Sequence, residues 1–252
     1  MKLAISGKGG VGKTTITALI SRAFYEQNFD VIAIDADPDT NLSATLGFPR
    51  VGIIPIAEMK ELIEERTGAK PGTLGGFFKL NPKVEDLPEK LWKNCHGIKL
   101  MVMGTMKKGG GGCVCPESYL LKNLIQHLVL SRKEVVILDM EAGVEHLGRA
   151  TTKAVDRLII IVEPGNKSVD TAFKIKELAL DIDLSQIGII GNKVRSDSDR
   201  IFLEERLKDF EILGFLPFDS TVVEADIKNL PPWEVSPEFY QEVKKIIKNL
   251  YR

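Results

Sequence analysis

Short runs of apolar residues recur along the chain, and each is followed by a longer stretch with helical spacing. The runs fall at 2–6, 31–35, 98–104, 134–139, 157–163, 186–192 and 211–215. Several, such as VVIL and LIIIV, are apolar at consecutive rather than alternating positions. Strands covered on both faces read this way. Between them, 14–27, 118–129, 169–180 and 199–208 carry the helical period, and 237–251 predicts a terminal helix. In that last segment Phe239, Val243, Ile246, Ile247 and Leu250 share one face, as in a helix docked on the core. Alternating strands and helices predict an α/β fold: a mostly parallel, twisted sheet of about seven strands with helices on both faces. The segment from about 50 to 96 breaks the rhythm, with one helical piece at 57–66 and then a Gly- and Pro-rich passage. Such a stretch inside a compact domain is expected to be an insertion that carries function or meets a partner.

At 252 residues the chain is expected to form one domain, 1–252, around one large core. A formal net charge of −1 offers no general attraction to nucleic acid or anionic lipid. No apolar run approaches the roughly 18 residues of a membrane span. The start, MKLAIS, lacks the charged head and apolar centre of a secretory signal, so a cytoplasmic location is expected. In that compartment cysteines bind metal or do redox work more often than they form disulfides, and three cysteines is an odd number.

The segment AISGKGGVGKTTI changes the picture most. Gly7, Gly12, Lys13 and Thr14 satisfy the phosphate-loop spacing where the first strand turns into the first helix. Backbone N–H groups of Gly9, Gly10, Val11, Gly12, Lys13, Thr14 and Thr15 must approach polyphosphate oxygens closely, which glycines permit. The following helix offers its N-terminal dipole to the same anion. Lys13 would neutralise the β- and γ-phosphates, and the Thr14 hydroxyl would ligate Mg²⁺.

With a second lysine at Lys8, the pattern KGGVGKTT resembles the deviant Walker A family, which includes MinD and ParA proteins and the nitrogenase iron protein. The resemblance implies an ATPase that forms a nucleotide-dependent homodimer, with Lys8 reaching the partner's phosphates. It implies that Asp37, in VIAIDADPDTN, orients or deprotonates the attacking water, with Asp35 and Asp39 as neighbours of less defined role. Asp139 matches the Walker B carboxylate that holds Mg²⁺ through water, and Gly143 the switch residue that senses the γ-phosphate. Asn192 and Lys193, in IIGNKV, match the adenine-contacting position, and Pro217 and Phe218 the late loop that closes over the base of ATP or ADP. The likeness covers most of the chain outside 50–96.

In GGGGCVCPESYLL, Cys113 and Cys115 stand one residue apart before a predicted helix. Packing, redox chemistry and an intersubunit metal site are all open to them. Thiolates suit Ni²⁺, Zn²⁺ or iron–sulfur iron, and two per chain would need a second chain to complete a tetrahedral set. A helix N-terminus begun by Pro116 and Glu117 would favour the thiolates. The C-x-C after the third strand, together with DMEAGVEHLGRAT, resembles the CooC-type ATPases that assist nickel insertion into carbon monoxide dehydrogenase. That resemblance implies Ni²⁺ or Zn²⁺ at the intersubunit cysteines and carbon monoxide dehydrogenase as client; the net charge and the core-docked terminal helix speak against nucleic acid and membrane. An iron–sulfur ATPase or reductase of the nitrogenase iron protein type, and a MinD- or ParA-like positioning ATPase, are the alternatives. Cys95 and His96 read as structural, and His146 as a local hydrogen-bonding residue.

Overall fold

The structure, a computed structural model, describes residues 1–48, 53–72, 77–104, 115–144, 147 and 154–250. Cys113, the glycines 109–112, Glu145 and His146 lie outside the described residues. The strands are β1 (Lys2–Gly7), β2 (Val31–Asp35), β3 (Lys93–Cys95), β4 (Ile98–Val102), β5 (Val135–Asp139), β6 (Arg157–Val162), β7 (Ile187–Val194) and β8 (Glu211–Pro217). They form one sheet in the order β3-β4-β2-β5-β1-β6-β7-β8. Neighbours are parallel except for β3 and β4.

Among the described residues the sheet therefore has eight strands rather than about seven. The extra one, β3, lies within 50–96 and forms a tight antiparallel hairpin with β4. His96 (φ 50°) and Gly97 (φ 87°) turn it in left-handed conformations, and the Gly97 N–H donates to Asn94 Oδ1 at 2.9 Å. The rest of that segment carries a 3₁₀ turn at Ile56–Glu58 and the helices α3 (Lys60–Thr67) and α4 (Leu87–Leu91). Arg66 holds Asp86 through two parallel bonds of 2.8 Å, which fastens α3 to the start of α4.

Helices cover both faces because the central strands are apolar at consecutive positions along most of their length. Ala4, Ile34, Leu138 and Ile160 turn to one side, where α5 (Pro116–Ser131), α6 (Asn166–Asp181), α7 (Asp197–Arg206) and α3 bury Leu124, Ile175, Leu203 and Ile63. Ile5, Ala33, Ile137 and Ile161 turn to the other, against α1 (Lys13–Glu26), α2 (Leu42–Thr45) and α10 (Pro237–Asn249). Two further helices, α8 (Ser220–Lys228) and α9 (Pro232–Val235), link β8 to α10. Phe239, Val243, Ile246, Ile247 and Leu250 are buried, so α10 is docked on the core. Among the described residues no helix is long and apolar enough to cross a membrane.

Candidate functional site

The site lies at the C-terminal ends of the central strands, where β1 runs into α1. Gly7 (φ 151°) ends β1 so close to β6 that a Cβ there would sit 2.5 Å from the Ile161 carbonyl oxygen. Gly12 (φ 96°) is the N-cap of α1, and a Cβ on it would meet Asn192 Nδ2 at 2.6 Å. No side chain caps this 14-residue helix. Its first-turn N–H groups and its dipole are thus available to an anion, and the loop is shaped to bring one near.

Three aspartates face this helix start. Lys13 Nζ lies 3.7 Å from Asp37 Oδ2. Asp35 and Asp139 end β2 and β5, which pair so that the two residues are register partners. Both are completely buried. Asp35 Oδ2 accepts from the Leu42 N–H at 2.9 Å, and Asp139 Oδ1 lies 3.2 Å from the Thr17 hydroxyl. Burial pushes the Asp139 carboxyl up to about 6, while Thr14 and Lys13 pull the other way and the charge of Asp37 adds to the rise. Asp35 is raised well above the ordinary carboxylate value, first by burial and then by the charge of Asp139. Asp35 Oδ1 and Asp139 Oδ2 are buried without a hydrogen-bond partner among the described residues. Two such oxygens, with the Thr14 hydroxyl hydrogen-bonded to Asp139, are a hard oxygen donor set, which fits Mg²⁺ and its waters.

From the phosphate loop a cleft of about 460 Å³ extends towards β7 and β8, lined by Gly9, Gly10, Gly12, Lys13, Thr14, Thr15, Asp37, Asn192, Lys193, Pro217 and Phe218 among others. Asn192 Nδ2 donates to the Val11 carbonyl at 2.8 Å, while its Oδ1 is buried and unpartnered among the described residues. Lys193 takes a left-handed backbone (φ 59°), and its ammonium donates to the Gly10 carbonyl at 2.5 Å. Val11 itself is buried beneath the loop. The Gly143 N–H donates within its own neighbourhood, to the Glu141 carbonyl at 2.8 Å and to Ser6 Oγ at 3.1 Å. Lys8 lies 3.5 Å from Glu163.

Asp219 and Phe239 also line the cleft; Phe239 was expected only on the core-facing stripe of the terminal helix, and Asp219 did not stand out in the sequence. Asp219 caps α8 by accepting from the Thr221 N–H at 2.8 Å, and it also accepts from the Ser236 hydroxyl. It thereby ties the loop of Pro217 and Phe218 to the start of α10. The order Asp-Ser-Thr before an apolar pair is a helix-start signal that could have located it.

Cys115 is the N-cap of α5, buried, with its sulfur 2.8 Å from the Ser118 hydroxyl. Two residues on, Glu117 is buried and accepts from the Gly72 N–H at 3.3 Å, joining this helix start to the 50–96 segment. Cys95 is far from such chemistry. Its thiol is buried and pushed up to about 11 by that burial, and it contacts the Leu46 carbonyl at 3.5 Å. The His96 ring packs edge-on against Trp233 at 6.0 Å. Among the described residues no group of three or more His, Cys, Asp and Glu side chains is gathered as for a metal ion.

Comparison with known proteins agrees with this geometry. The CobQ/CobB/MinD/ParA nucleotide-binding domain matches residues 2–233. The carbon monoxide dehydrogenase accessory protein CooC of Rhodospirillum rubrum is 46% identical over 94% of this chain and 91% of its own length. An uncharacterized ATP-binding protein of Methanocaldococcus jannaschii is also 46% identical, over 98% of this chain and 96% of its own. The MinD cell division protein of Aquifex aeolicus shares the fold, with a TM-score of 0.71 at 20% identity over 99% of this chain and 96% of that one. This chain belongs to the CobQ/CobB/MinD/ParA nucleotide-binding family of P-loop ATPases, among its CooC-like members.

Proposed function

We propose that this ATPase is a cytoplasmic maturation factor that assists nickel insertion into carbon monoxide dehydrogenase, acting as one ATPase domain over 1–252 and as a homodimer formed with nucleotide and metal. The observation that carries the reading is its 46% identity, nearly end to end, with the accessory protein CooC. The nucleotide would lie with its phosphates on the loop of Gly9 to Thr15 and its base between Asn192 and the Pro217–Phe218 loop. Lys13, 3.7 Å from Asp37 in the structure, would exchange that carboxylate for phosphate, freeing Asp37 to orient the attacking water. Thr14 and Asp139, with Asp35 beside them, would hold Mg²⁺, which when bound supplies charge neutralisation for the phosphates. Lys8 would cross to the phosphates of the second chain, and the Gly143 N–H would exchange Ser6 for the γ-phosphate. Cys113 and Cys115 from each chain would take one Ni²⁺ or Zn²⁺ ion in a set of four sulfurs, with the ion as cargo or clasp between the chains.

Metal analysis tests the reading. Anaerobically prepared protein is expected to hold close to one Ni²⁺ or Zn²⁺ per two chains, and Cys113→Ser or Cys115→Ser to abolish this while ATP still binds. One ion per chain, untouched by either change, would overturn it. A brown colour with visible absorbance would assign the cysteines to an iron–sulfur cluster instead.

A further inference from the structure

Two lysines converge on one carboxylate beside the phosphate loop. Lys8 Nζ lies 3.5 Å from Glu163 Oε1, and Lys193 Nζ lies 3.4 Å from Glu163 Oε2. The backbone dictates this meeting. Gly7 and Ile161 are register partners in β1 and β6, at the close approach that excludes a Cβ on Gly7. Lys8 is the first residue beyond β1, and Glu163 is the first beyond β6. The two strands therefore deliver opposite charges to the same junction. Glu163 is anchored there, because its N–H donates to Ser168 Oγ at 3.1 Å and Ser168 is buried in the first turn of α6.

The two lysines are not equivalent. Lys193 has a second anchor, the Gly10 carbonyl at 2.5 Å. For Lys8, Glu163 is the one carboxylate within ion-pair distance among the described residues.

We infer that Glu163 is a positioning residue that holds Lys8 on its own chain and sets the nucleotide concentration at which two chains join. This rests on the reading that Lys8 acts on the partner's phosphates, since reaching them requires the pair with Glu163 to break. The side chains of Lys8 and Glu163 are 37% and 26% exposed, so solvent screens the pair. An exposed pair of this kind shifts an equilibrium by about two- to five-fold. The phosphates of a second chain's nucleotide carry several charges and bind an ammonium more strongly, so they win the exchange. Once Lys8 has left, Glu163 still has Lys193, so its carboxylate is not stranded. The pair is thus a threshold and not a block.

Titration with Mg-AMPPNP, followed by light scattering with one equivalent of Zn²⁺ present throughout, tests the inference. Glu163→Gln is expected to lower the half-maximal nucleotide concentration for dimer formation by about two- to five-fold. Glu163→Asp, which keeps the charge, is expected to stay near the wild type. At protein concentrations too low for dimers, Glu163→Gln is expected to bind nucleotide as the wild type does. An unchanged or raised midpoint in Glu163→Gln overturns the inference while leaving the dimer reading intact. So does an equal shift in the affinity of the monomer, which would place the effect within one chain's own site. A wild type that stays monomeric at every nucleotide concentration removes the dimer reading and this inference together.

Discussion

Asp35 and Asp139 illustrate how the proposed Mg²⁺-binding position is held against the chain's own stability. Two carboxylates stand side by side on neighbouring strands with no exposed surface, so each disfavours the charge of the other and burial disfavours both. With the Asp139 carboxyl near 6 instead of its ordinary 3.8, the folded chain keeps a proton that the unfolded chain has released between those values. Stability from this group is therefore full below about pH 4 and is lost as pH rises through about 6. The loss is on the order of 3 kcal/mol, and Asp35 is displaced in the same direction. Asp139→Asn is accordingly expected to melt several degrees higher than the wild type at pH 7 in EDTA, and to lose Mg-dependent hydrolysis. The gap should close below pH 4, where the wild-type carboxyl is neutral. Melting curves across that range check this, and an Asp139→Asn protein no more stable than wild type at pH 7 would contradict it.

At the scale of elements, what the sequence discloses depends on how local the cause is. The strands of the central sheet were legible because both faces are covered, which forces apolar residues at consecutive positions. Strand β3 was not, since Lys93 and Asn94 are exposed and only Cys95 turns inward. Helix α8 was not among the stretches that carry a legible helical period. Its Val223 and Ile227 are 51% and 74% exposed, so the apolar residues do not mark a buried face. The phosphate loop was fully legible because its residues are contiguous and its glycines answer a backbone need. The pairing of Lys8 with Glu163 depends on the register of β1 and β6, strands far apart in sequence, and nothing local announces it. Helix α10 was read correctly from its apolar stripe, and that stripe carries energy. Ile247 is almost completely buried, so Ile247→Ala is expected to cost about 2–5 kcal/mol. Lys245, 68% exposed and paired with Glu242 on its own helix, should matter little, with Lys245→Ala within about 0.5 kcal/mol. Urea midpoints of the two variants compared with wild type decide the point.

Across the whole molecule, the cleft draws its walls from separate parts of the sheet: the loop after β1, Asp37 after β2, Asn192 in β7 and Pro217 at the end of β8. A nucleotide bound there would tie elements that otherwise meet only through the sheet, so it acts on global stability and not on one loop. A ligand held only by the folded chain, at a hundred times its dissociation constant, adds about 2.7 kcal/mol. For a chain of this size that is a rise of about 5–10 °C in melting temperature. Mg-ATP is expected to produce it and Lys13→Ala to remove it, because the lysine is the buried cation at the loop. The base should matter as well. Asn192 already spends its Nδ2 on the Val11 carbonyl, which leaves the buried Oδ1 as an acceptor. An adenine amino group donates to such an oxygen, whereas the guanine O6 would oppose it, acceptor against acceptor. An unmatched buried acceptor costs about 1–3 kcal/mol, so GTP is expected to bind about 10- to 100-fold more weakly than ATP. Thermal shifts measured with both nucleotides at equal concentration will separate the cases, since equal shifts would mean that Asn192 does not read the base.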